Sequence, residues 1–279
     1  MDVNIAREQE FAQWQLDVGH GKHTDAQDNI IIPENMRLPD NSIGELINHI
    51  YPNIHQIQTS LHQFFSEHIL LSSWNDDVDD INEAILNKYL GPVREFHSAD
   101  KVASDNPNDI EGELMYPVEY LNGINCSGFP LANMRLKLRS PVIVLRNLNQ
   151  AEGVCNGTRG LITKISHRVI EIELLTGDFV GKKVFIPRIT LTPSETQVLF
   201  KLEKRQFPLK LCFAMTINKS QGQSVKHVGL DLRTSVFTHG QFYVGVSRVK
   251  SVENIKVITD NKEGIGVTKN IVYPEVLLD

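Results

Sequence analysis

The chain has 279 residues, of which 41% are hydrophobic and 22% charged, a composition typical of a globular protein with a buried core. Its three widely spaced cysteines fit neither a disulfide framework nor paired zinc ligands and indicate a reducing compartment. The polar N-terminus lacks the apolar segment of a signal peptide, and no apolar run approaches the roughly 18 residues of a membrane span. We therefore expect a soluble protein that has no membrane partner.

The net charge of −6 conceals an uneven distribution along the chain. Residues 1–110 carry 6 Lys and Arg against 19 Asp and Glu, whereas residues 135–250 carry 19 against 7. Because contacts to a polyanion depend on where charge lies, the basic stretch suits a local phosphate-binding surface. A solvated surface of mixed charge explains the same counts, so charge alone leaves both interpretations open.

The first predicted element is a helix in "IAREQEFAQWQLDV", where Phe11, Trp14 and Val18 fall on one helical face. Gly19 and Gly21 follow it at the position where helices commonly end, since glycine tolerates a positive φ. We therefore predict that the segment "VGHGKHT" is a helix terminus.

The Gly-Lys pair in that segment does not form a phosphate loop. His23 separates Lys22 from Thr24, and Leu16 occupies the position of the leading glycine. No other stretch fits the phosphate-loop pattern, and none fits the Gly-x-Gly-x-x-Gly turn of a dinucleotide-binding oxidoreductase. The sequence thus predicts no complete nucleotide-hydrolysing site in this chain.

Two helices and a strand are predicted next. "LPDNSIGELINHIYP" indicates a helix capped by Asp40 or Asn41, and "EHILLSS" indicates a buried strand. "WNDDVDDINEAILNKYLGP" has helical spacing with acids in its first turn. Residues 97–130 are rich in Ser, Asn, Asp, Gly and Pro and predict a long irregular connection.

From Pro141 the pattern changes to short alternating strands, "PVIVLRN", "GLITKIS", "RVIEIELL" and "KVFIPRI", which predict a small antiparallel β-barrel. "LKLCFAM", "HVGLDL" and "IKVIT" then indicate buried strands, with a helix at "HGQFYVGVSRV". Strands that alternate with helices favour a parallel sheet covered on both faces. The predicted fold is an α/β domain, residues 1–114 and 196–279, interrupted by a connection and barrel over residues 115–195.

Two polar stretches follow predicted strands of the parallel sheet, "AMTINKSQGQSV" and "GQFYVGVSRVKS". Ligands of open parallel sheets bind at the carboxyl ends of the strands. In the first stretch, backbone at Gly222 can approach a phosphate closely. In the second, Arg248 carries a permanent charge that can fork onto a phosphate. A helix-capping loop and a solvated arginine explain the same residues when each stretch is taken alone.

Together and in this order, the stretches resemble motifs V and VI of superfamily-one DNA helicases of the Pif family and of the helicase region of Helitron transposons. "TINKSQGQS" is similar to motif V and "FYVGVSRVKS" to motif VI, including the Lys-Ser-Gln-Gly core and the Ser-Arg pair. The resemblance covers nearly the whole chain, since earlier segments also match in order: "FAQWQLDVGHGKH", "IIIPENM", "HILLSSWNDDVDDINEAIL" and "YPVEYLNGINCSGFPLANMRLKLRSPVIVLRNLNQAEGVCNGTRG".

The resemblance implies a RecA-like second motor domain, without Walker A or Walker B, interrupted by a Src-homology-type barrel. Family members bind ATP between two RecA-like domains, and the first domain supplies the phosphate loop and the Mg²⁺-binding acids. ATP and Mg²⁺ are therefore expected only in the complete two-domain helicase, with no metal site in this chain. The expected partners are single-stranded DNA and an N-terminal RecA-like motor domain, located upstream in cis or supplied in trans.

The resemblance also implies roles for individual residues. Arg248 would be the arginine finger that stabilises charge on the γ-phosphoryl group. Residues of the first polar stretch would couple the ATP cleft to DNA, and the helix would add a nucleotide contact: Lys219, Ser220, Gln221, Gly222 and Gln241. Asn75 is a weaker DNA candidate, because a helix cap explains it equally well. In the barrel, electrostatic DNA contacts are expected from Arg146, Asn156, Arg159 and Lys164.

The functional prediction is the C-terminal half of an ATP-dependent 5′–3′ DNA helicase, inactive alone because the phosphate-loop domain is absent. The alternative is a non-catalytic nucleic-acid-binding module derived from a helicase or transposon. The resemblance favours a nuclear location over a mitochondrial one.

Overall fold

A computed structural model of the chain describes residues 3–56, 61–103, 116–126, 128–193, 200–260 and 266–277. The chain divides into two compact units, which we call unit 1 (Met1–Tyr89 and Phe213–Asp279) and unit 2 (Leu90–Cys212). The sequence-based division lay at 114/115 and 195/196 instead. The boundaries differ because strands on either side of those positions pair within unit 2. Among the described residues, no helix has the length and apolar character needed to cross a membrane.

The helices, in chain order, are α1 Val3–Gly19, α2 Ile43–Ile50, α3 Leu61–Glu67, α4 Asn75–Lys88, α5 Val118–Gly123 and α6 Gln241–Val246. The first eight strands are β1 Asn29–Ile31, β2 His68–Ser72, β3 Arg94–His97, β4 Ala99–Val102, β5 Asn133–Leu136, β6 Pro141–Val144, β7 Arg159–Ile165 and β8 Val169–Leu174. The remaining strands are β9 Lys183–Pro187, β10 Ile189–Leu191, β11 Leu202–Gln206, β12 Leu209–Leu211, β13 Ala214–Thr216, β14 His227–Leu232, β15 Ile255–Thr259 and β16 Val267–Lys269.

Unit 1 is built on a four-stranded parallel sheet with the strand order β13-β2-β14-β15. In β2 and β14, every residue after the first is buried, as expected for central strands that are covered on both faces. A two-stranded antiparallel ribbon joins β1 to β16. The predicted parallel α/β fold is therefore confirmed.

Helix α2 packs very closely on the sheet at Gly229 of β14. A Cβ atom at this position would lie 2.4 Å from Leu70 and 2.7 Å from Ile50, which is too close for any side chain. Glycine thus permits the apolar face of α2 to reach the sheet, and Leu46, Ile47 and Ile50 are buried.

The start of α2 differs from the prediction of an Asp40 or Asn41 cap. Ser42 is the N-cap, and its side chain accepts a hydrogen bond from the Glu45 backbone N–H at 3.2 Å. Asn41 instead hydrogen-bonds the backbone of Thr259 through both its amide nitrogen (2.7 Å) and its amide oxygen (2.9 Å). Sequence rules rank Ser, Asp and Asn alike as caps, so only this distant strand decided between them.

Helix α1 ends at Gly19, and Gly21 follows it with a φ of 71°. The Lys22 ammonium group donates a hydrogen bond to Asp17 at 2.9 Å, and the Thr24 hydroxyl donates to the Gly21 carbonyl at 2.7 Å. The interpretation of this segment as a helix terminus is confirmed.

Unit 2 contains a five-stranded antiparallel sheet with the order β12-β6-β7-β8-β9, a three-stranded sheet β10-β11-β4 and the pair β3-β5. Buried aliphatic residues of the five-stranded sheet share one core with Phe96 of β3, Met134 of β5 and Phe207. The predicted antiparallel unit is present. Its closure into a barrel is not confirmed, because no pairing between the outer strands β12 and β9 is seen in the described part of the chain.

Two predicted strands each divide between two sheets. "LKLCFAM" forms β12 in unit 2 and then β13 in unit 1, while "KVFIPRI" forms β9 and then β10. A continuous apolar run indicates burial but carries no information about which strand it pairs with. The predicted irregular connection 97–130 in fact contains β4 and α5, and its residues 104–115 lie outside the described residues.

Candidate functional site

Three segments with polar residues emerge from the carboxyl edge of the parallel sheet. β13 leads into a 3₁₀ turn, Ile217–Ser220, β2 leads through residues 73–74 into α4, and β14 leads through residues 233–240 into α6. These three strands are neighbours in the sheet. Both polar stretches predicted from the sequence therefore belong to the edge at which parallel sheets bind ligands.

The Arg248 guanidinium group joins the two stretches. Its Nη1 donates to the carbonyls of Ser220 at 3.2 Å and Gln223 at 3.1 Å, while Nε donates to Val244 at 2.8 Å and Nη2 to the Ser247 hydroxyl at 2.8 Å. The side chain is half-buried, and this burial lowers the pKa of Arg248. Arginine nevertheless stays charged, so a permanent positive charge is held between α6 and the 217–223 segment.

Only some of the residues predicted to be functional in the 217–223 segment are accessible to solvent. Gln221 and Gly222 are exposed and Lys219 is half-buried. Gly222 has a φ of 78° and open space around it, so its glycine is required by backbone conformation and not by crowding. Ser220 is only 1% exposed, and its hydroxyl donates to the Ile217 carbonyl at 2.6 Å. This burial corrects the prediction that the Ser220 side chain contacts DNA.

Gln241 was predicted to contact nucleotide, and the structure corrects this role as well. Its side chain is 1% exposed, its oxygen accepts from the Phe237 N–H at 3.0 Å, and its nitrogen donates to the Ser73 carbonyl at 3.5 Å. Gln241 therefore links the loop that precedes α6 to the end of β2.

Asn75 is the first residue of α4 and is exposed at the carboxyl edge of the sheet. The N-cap of this helix is Trp74, so the alternative of Asn75 as helix cap is wrong. Asn75 stays a candidate for contact with DNA.

In unit 2, the predicted DNA-contact residues differ in how accessible their side chains are. Arg159, at the start of β7, is 0% exposed, which corrects the prediction that it contacts DNA. Arg146 donates to the carbonyls of Gly128 at 2.8 Å and Leu145 at 2.7 Å, and its guanidinium lies 4.5 Å from the Phe129 ring centroid. Its guanidinium thus has protein partners within unit 2.

Asn156 and Lys164 are exposed. Asn156 lies in the predicted Asn-Gly turn, where Gly157 has a φ of 91°. The Lys164 ammonium lies 3.3 Å from a carboxylate oxygen of Glu171. These two residues stay predicted DNA contacts on the surface of unit 2.

Gln15 supports the site, although no pattern in the sequence predicted a role for it. Gln15 of α1 donates to the carbonyls of Val246 at 2.7 Å and Val249 at 3.1 Å, at the end of α6. The neighbouring Trp14 ring meets Phe242 edge-on at 6.3 Å. Helix α1 thereby fixes the end of α6 next to Arg248. No local pattern could have indicated contacts between residues more than 200 positions apart. Among the described residues, no group of His, Cys, Asp or Glu is suited to hold a metal ion.

The parallel sheet with polar segments at its carboxyl edge is consistent with a RecA-like α/β domain, and the solved structures it resembles are helicases. One is the crystal structure of Pif1 helicase from Candida albicans, with a TM-score of 0.60 and 19% identity, covering 96% of this chain and 56% of that one. Another is Pif1 helicase from Bacteroides in complex with ADP-AlF3 and ssDNA, with a TM-score of 0.57 and 19% identity over 96% and 52% of the two chains.

Sequence similarity identifies the family. Residues 119–165 match the family model for the 2B domain of DNA helicase Pif1. The chain is 30% identical to the ATP-dependent DNA helicase PIF1 of Homo sapiens over 192 residues, which are 67% of this chain and 26% of the relative. It is 26% identical to the Pif1 helicase of Bdellovibrio bacteriovorus over 254 residues, 89% of this chain and 53% of that relative. These matches support the identification of the chain as part of a Pif1-family DNA helicase, and the chain spans 26% to 53% of these two relatives.

Proposed function

We propose that this chain supplies the second motor part of an ATP-dependent DNA helicase that moves 5′ to 3′. A phosphate-loop domain, upstream in cis or on another chain, would complete the ATP site. The observation that carries the proposal is the contact of Arg248 with the carbonyls of Ser220 and Gln223, because it ties a charged group just after α6 to the segment proposed to bind DNA. The names of the relatives, which are ATP-dependent DNA helicases, support the same function.

Arg248 is proposed to act as the arginine finger. A guanidinium group has five N–H donors, and four of them are used by Val244, Ser220, Gln223 and Ser247. Contact with a γ-phosphoryl group would exchange the two carbonyls of the 217–223 segment for phosphate oxygens. That exchange would release the segment when nucleotide binds and would couple ATP hydrolysis to DNA. The Mg²⁺ ion would be held by the acids of the phosphate-loop domain, as the family resemblance implies.

Single-stranded DNA is proposed to follow the sheet edge along the exposed residues Asn75, Gln221 and Gly222 and the half-buried Lys219. In unit 2, Asn156 and Lys164 would add contacts to the phosphate backbone. The solved Bacteroides helicase that contains ssDNA supports this class of ligand. Such contacts weaken as salt concentration rises, because they release counterions. The nuclear location implied by the resemblance stays a prediction.

The proposal is tested by ATP hydrolysis with single-stranded DNA, measured for the chain alone and with a phosphate-loop domain of a family member added in trans or fused upstream. We expect no sustained turnover by the chain alone and DNA-stimulated turnover in the completed protein. Arg248→Ala should lower that turnover by about 10³-fold or more, the effect of a lost arginine finger.

Arg7→Ala is the matched control, because the Arg7 side chain is 61% exposed, forms a surface ion pair with Glu253 and has no proposed role in catalysis. It should leave turnover nearly unchanged. Thermal unfolding of both variants separates a loss of chemistry from a loss of fold. Turnover by the isolated chain, or full turnover by a folded Arg248→Ala protein, would contradict the proposal.

The alternative function is a non-catalytic nucleic-acid-binding module. It is favoured by one observation, namely that four Arg248 donors are already satisfied within unit 1. Under this alternative, Arg248 has only a structural role and holds the end of α6 against the 217–223 segment. Adding the phosphate-loop domain would then restore no hydrolysis, whereas binding of single-stranded DNA would persist.

A further inference from the structure

Two exposed aromatic rings from distant parts of the sequence meet at the carboxyl edge of the parallel sheet. Trp74 follows β2, and Phe237 lies in the loop between β14 and α6. Their ring centroids are 4.4 Å apart, with 39° between the ring planes. Trp74 is 45% exposed and Phe237 is 46% exposed, so both rings keep a large face toward solvent. We call this pair the edge aromatic pair.

Hydrogen bonds hold both members of the pair in place. The Trp74 indole N–H donates to the Ser235 carbonyl at 3.3 Å, and the Phe237 backbone N–H donates to the buried Gln241 side chain at 3.0 Å. Gln241 in turn reaches the Ser73 carbonyl at 3.5 Å. The pair is therefore preorganised and would lose little conformational freedom on binding a ligand.

The size and surroundings of the pair indicate the chemistry of its ligand. Ser73 and Asn75 flank Trp74 in the chain, while buried Val236 and polar Thr238 flank Phe237. In residues 73–75 and 236–238, the exposed apolar surface thus consists of the two rings of Trp74 and Phe237. A protein partner would need a broader patch, whereas one planar heteroaromatic ring fits a patch of this size.

The local charge indicates which part of a nucleic acid would lie there. Asp76 is exposed in the first turn of α4, directly after Asn75. A phosphate group would be repelled by this carboxylate, whereas an uncharged base would not. The bases of a duplex are already stacked on one another, so the ring that can reach the pair is an unpaired base.

We propose that the edge aromatic pair is a stacking platform for an unpaired base of single-stranded DNA. This inference rests on the proposed function and adds two binding residues that the family resemblance did not supply. Aromatic stacking is tolerant of sequence, because every base has a π-face. The platform would hold a strand by its bases while the polar residues of the edge hold its backbone.

The test uses intrinsic fluorescence of the full chain. The chain has two tryptophans, so Trp14→Phe leaves Trp74 as the single emitter. Titration with an oligothymidine should quench Trp74 emission saturably, and a blunt duplex should not. Phe237→Leu should weaken affinity for the single strand by about fivefold or more, as expected for one lost stacking contact. Tyr120→Leu is the matched control, because Tyr120 is 54% exposed on α5, where no DNA contact is proposed, and it should have no effect.

Affinity is measured separately from the anisotropy of a labelled oligonucleotide, so that binding and stacking can fail independently. Binding without any change in Trp74 emission, and with equal affinity for Phe237→Leu, would overturn the platform and leave the proposed function standing. Absence of binding to single-stranded DNA would overturn both.

Trp74→Phe should retain affinity within about twofold, since it keeps a ring, while Trp74→Leu should lose about as much as Phe237→Leu. Thermal unfolding confirms that each variant is folded. The ratio of wild-type to Phe237→Leu affinity should not change with salt, because stacking releases no counterions. A ratio that disappears at high salt would show an electrostatic contact and overturn the platform.

Discussion

The two units bury polar groups in different ways. In unit 1, neutral amides replace missing strand partners at both outer strands of the parallel sheet. Asn82 hydrogen-bonds the Ala214 backbone of β13 through its nitrogen at 3.0 Å and its oxygen at 2.9 Å. Asn41 makes the same pair of contacts with Thr259 of β15. Each amide satisfies one N–H and one C=O that no further strand would reach.

Unit 2 contains an ion pair in which both side chains are buried. Lys204 of β11 lies opposite Asp100 of β4 in the strand register, and the two form an ion pair whose side chains are 1% and 0% exposed. Burial of two charges costs desolvation energy that only the intact pair offsets. Each of these amide contacts of unit 1 therefore depends on one side chain, whereas the Lys204–Asp100 contact of unit 2 depends on two residues being present together.

The largest effect is expected when one charge of the buried pair is removed. Asp100→Leu would leave the Lys204 ammonium buried without its carboxylate and should lower the free energy of unfolding by about 3–5 kcal/mol. The double variant Asp100→Leu with Lys204→Met should recover most of this loss. Urea unfolding of the three proteins measures both effects. A double variant as unstable as the single one would break the proposed contrast between the units.

Removal of an edge amide in unit 1 should have the next largest effect. Asn82→Ala leaves the Ala214 N–H and C=O buried without partners and should cost about 2–4 kcal/mol of unfolding free energy. Asn87→Ala, on the exposed side of the same helix, is the matched control and should be neutral, because alanine is a better helix former. Equal effects of the two substitutions in denaturant unfolding would contradict the role assigned to Asn82.

A histidine pair lies at the amino ends of the central strands of unit 1 and should make its stability depend on pH. His68 of β2 and His227 of β14 are register partners, and their ring centroids are 4.4 Å apart in a stacked arrangement. Burial lowers the pKa of His68 and of His227, and the pKa of His227 is lowered further by His68 and Lys226. The nearby Glu67 carboxylate acts in the opposite direction, and His49 adds to the lowering for His227.

The folded state therefore favours neutral rings, whereas the unfolded chain protonates them near the ordinary value of about 6.5. Below that pH the unfolded state binds more protons, so the free energy of unfolding should fall as pH is lowered. His227→Gln should reduce this slope in thermal unfolding measured across the acid range. A slope insensitive to His227→Gln would contradict the assignment.

The smallest effect is expected at an exposed ion pair of unit 2. The Lys182 ammonium lies 3.1 Å from a carboxylate oxygen of Glu152, and the two side chains are 38% and 48% exposed. Water screens this pair, so Lys182→Met should change the free energy of unfolding by less than about 1 kcal/mol. Measured beside Asp100→Leu, it tests whether burial, and not the mere presence of opposite charges, makes the Lys204–Asp100 pair important.

Local patterns predicted much of this molecule but not its contacts. The Lys-Ser-Gln-Gly and Ser-Arg motifs correctly indicated the family, and the apolar runs indicated the parallel strands. The same patterns placed Ser220, Gln241 and Arg159 at contact surfaces, although all three side chains are buried. Polar residue type indicates that a hydrogen bond will be made, and it does not indicate whether protein or ligand is the partner.

Hydrophobic periodicity and short motifs lie within local segments, so they were enough to indicate the α/β class, the family and the positions of the parallel strands along the chain. The hydrogen bonds of Arg248 with Ser220 and Gln223, the support of α6 by Gln15 and the contact of Trp74 with Phe237 became visible only in the folded molecule. These contacts depend on strand order in the sheet, which brings distant residues to one edge and leaves no periodic trace in the chain.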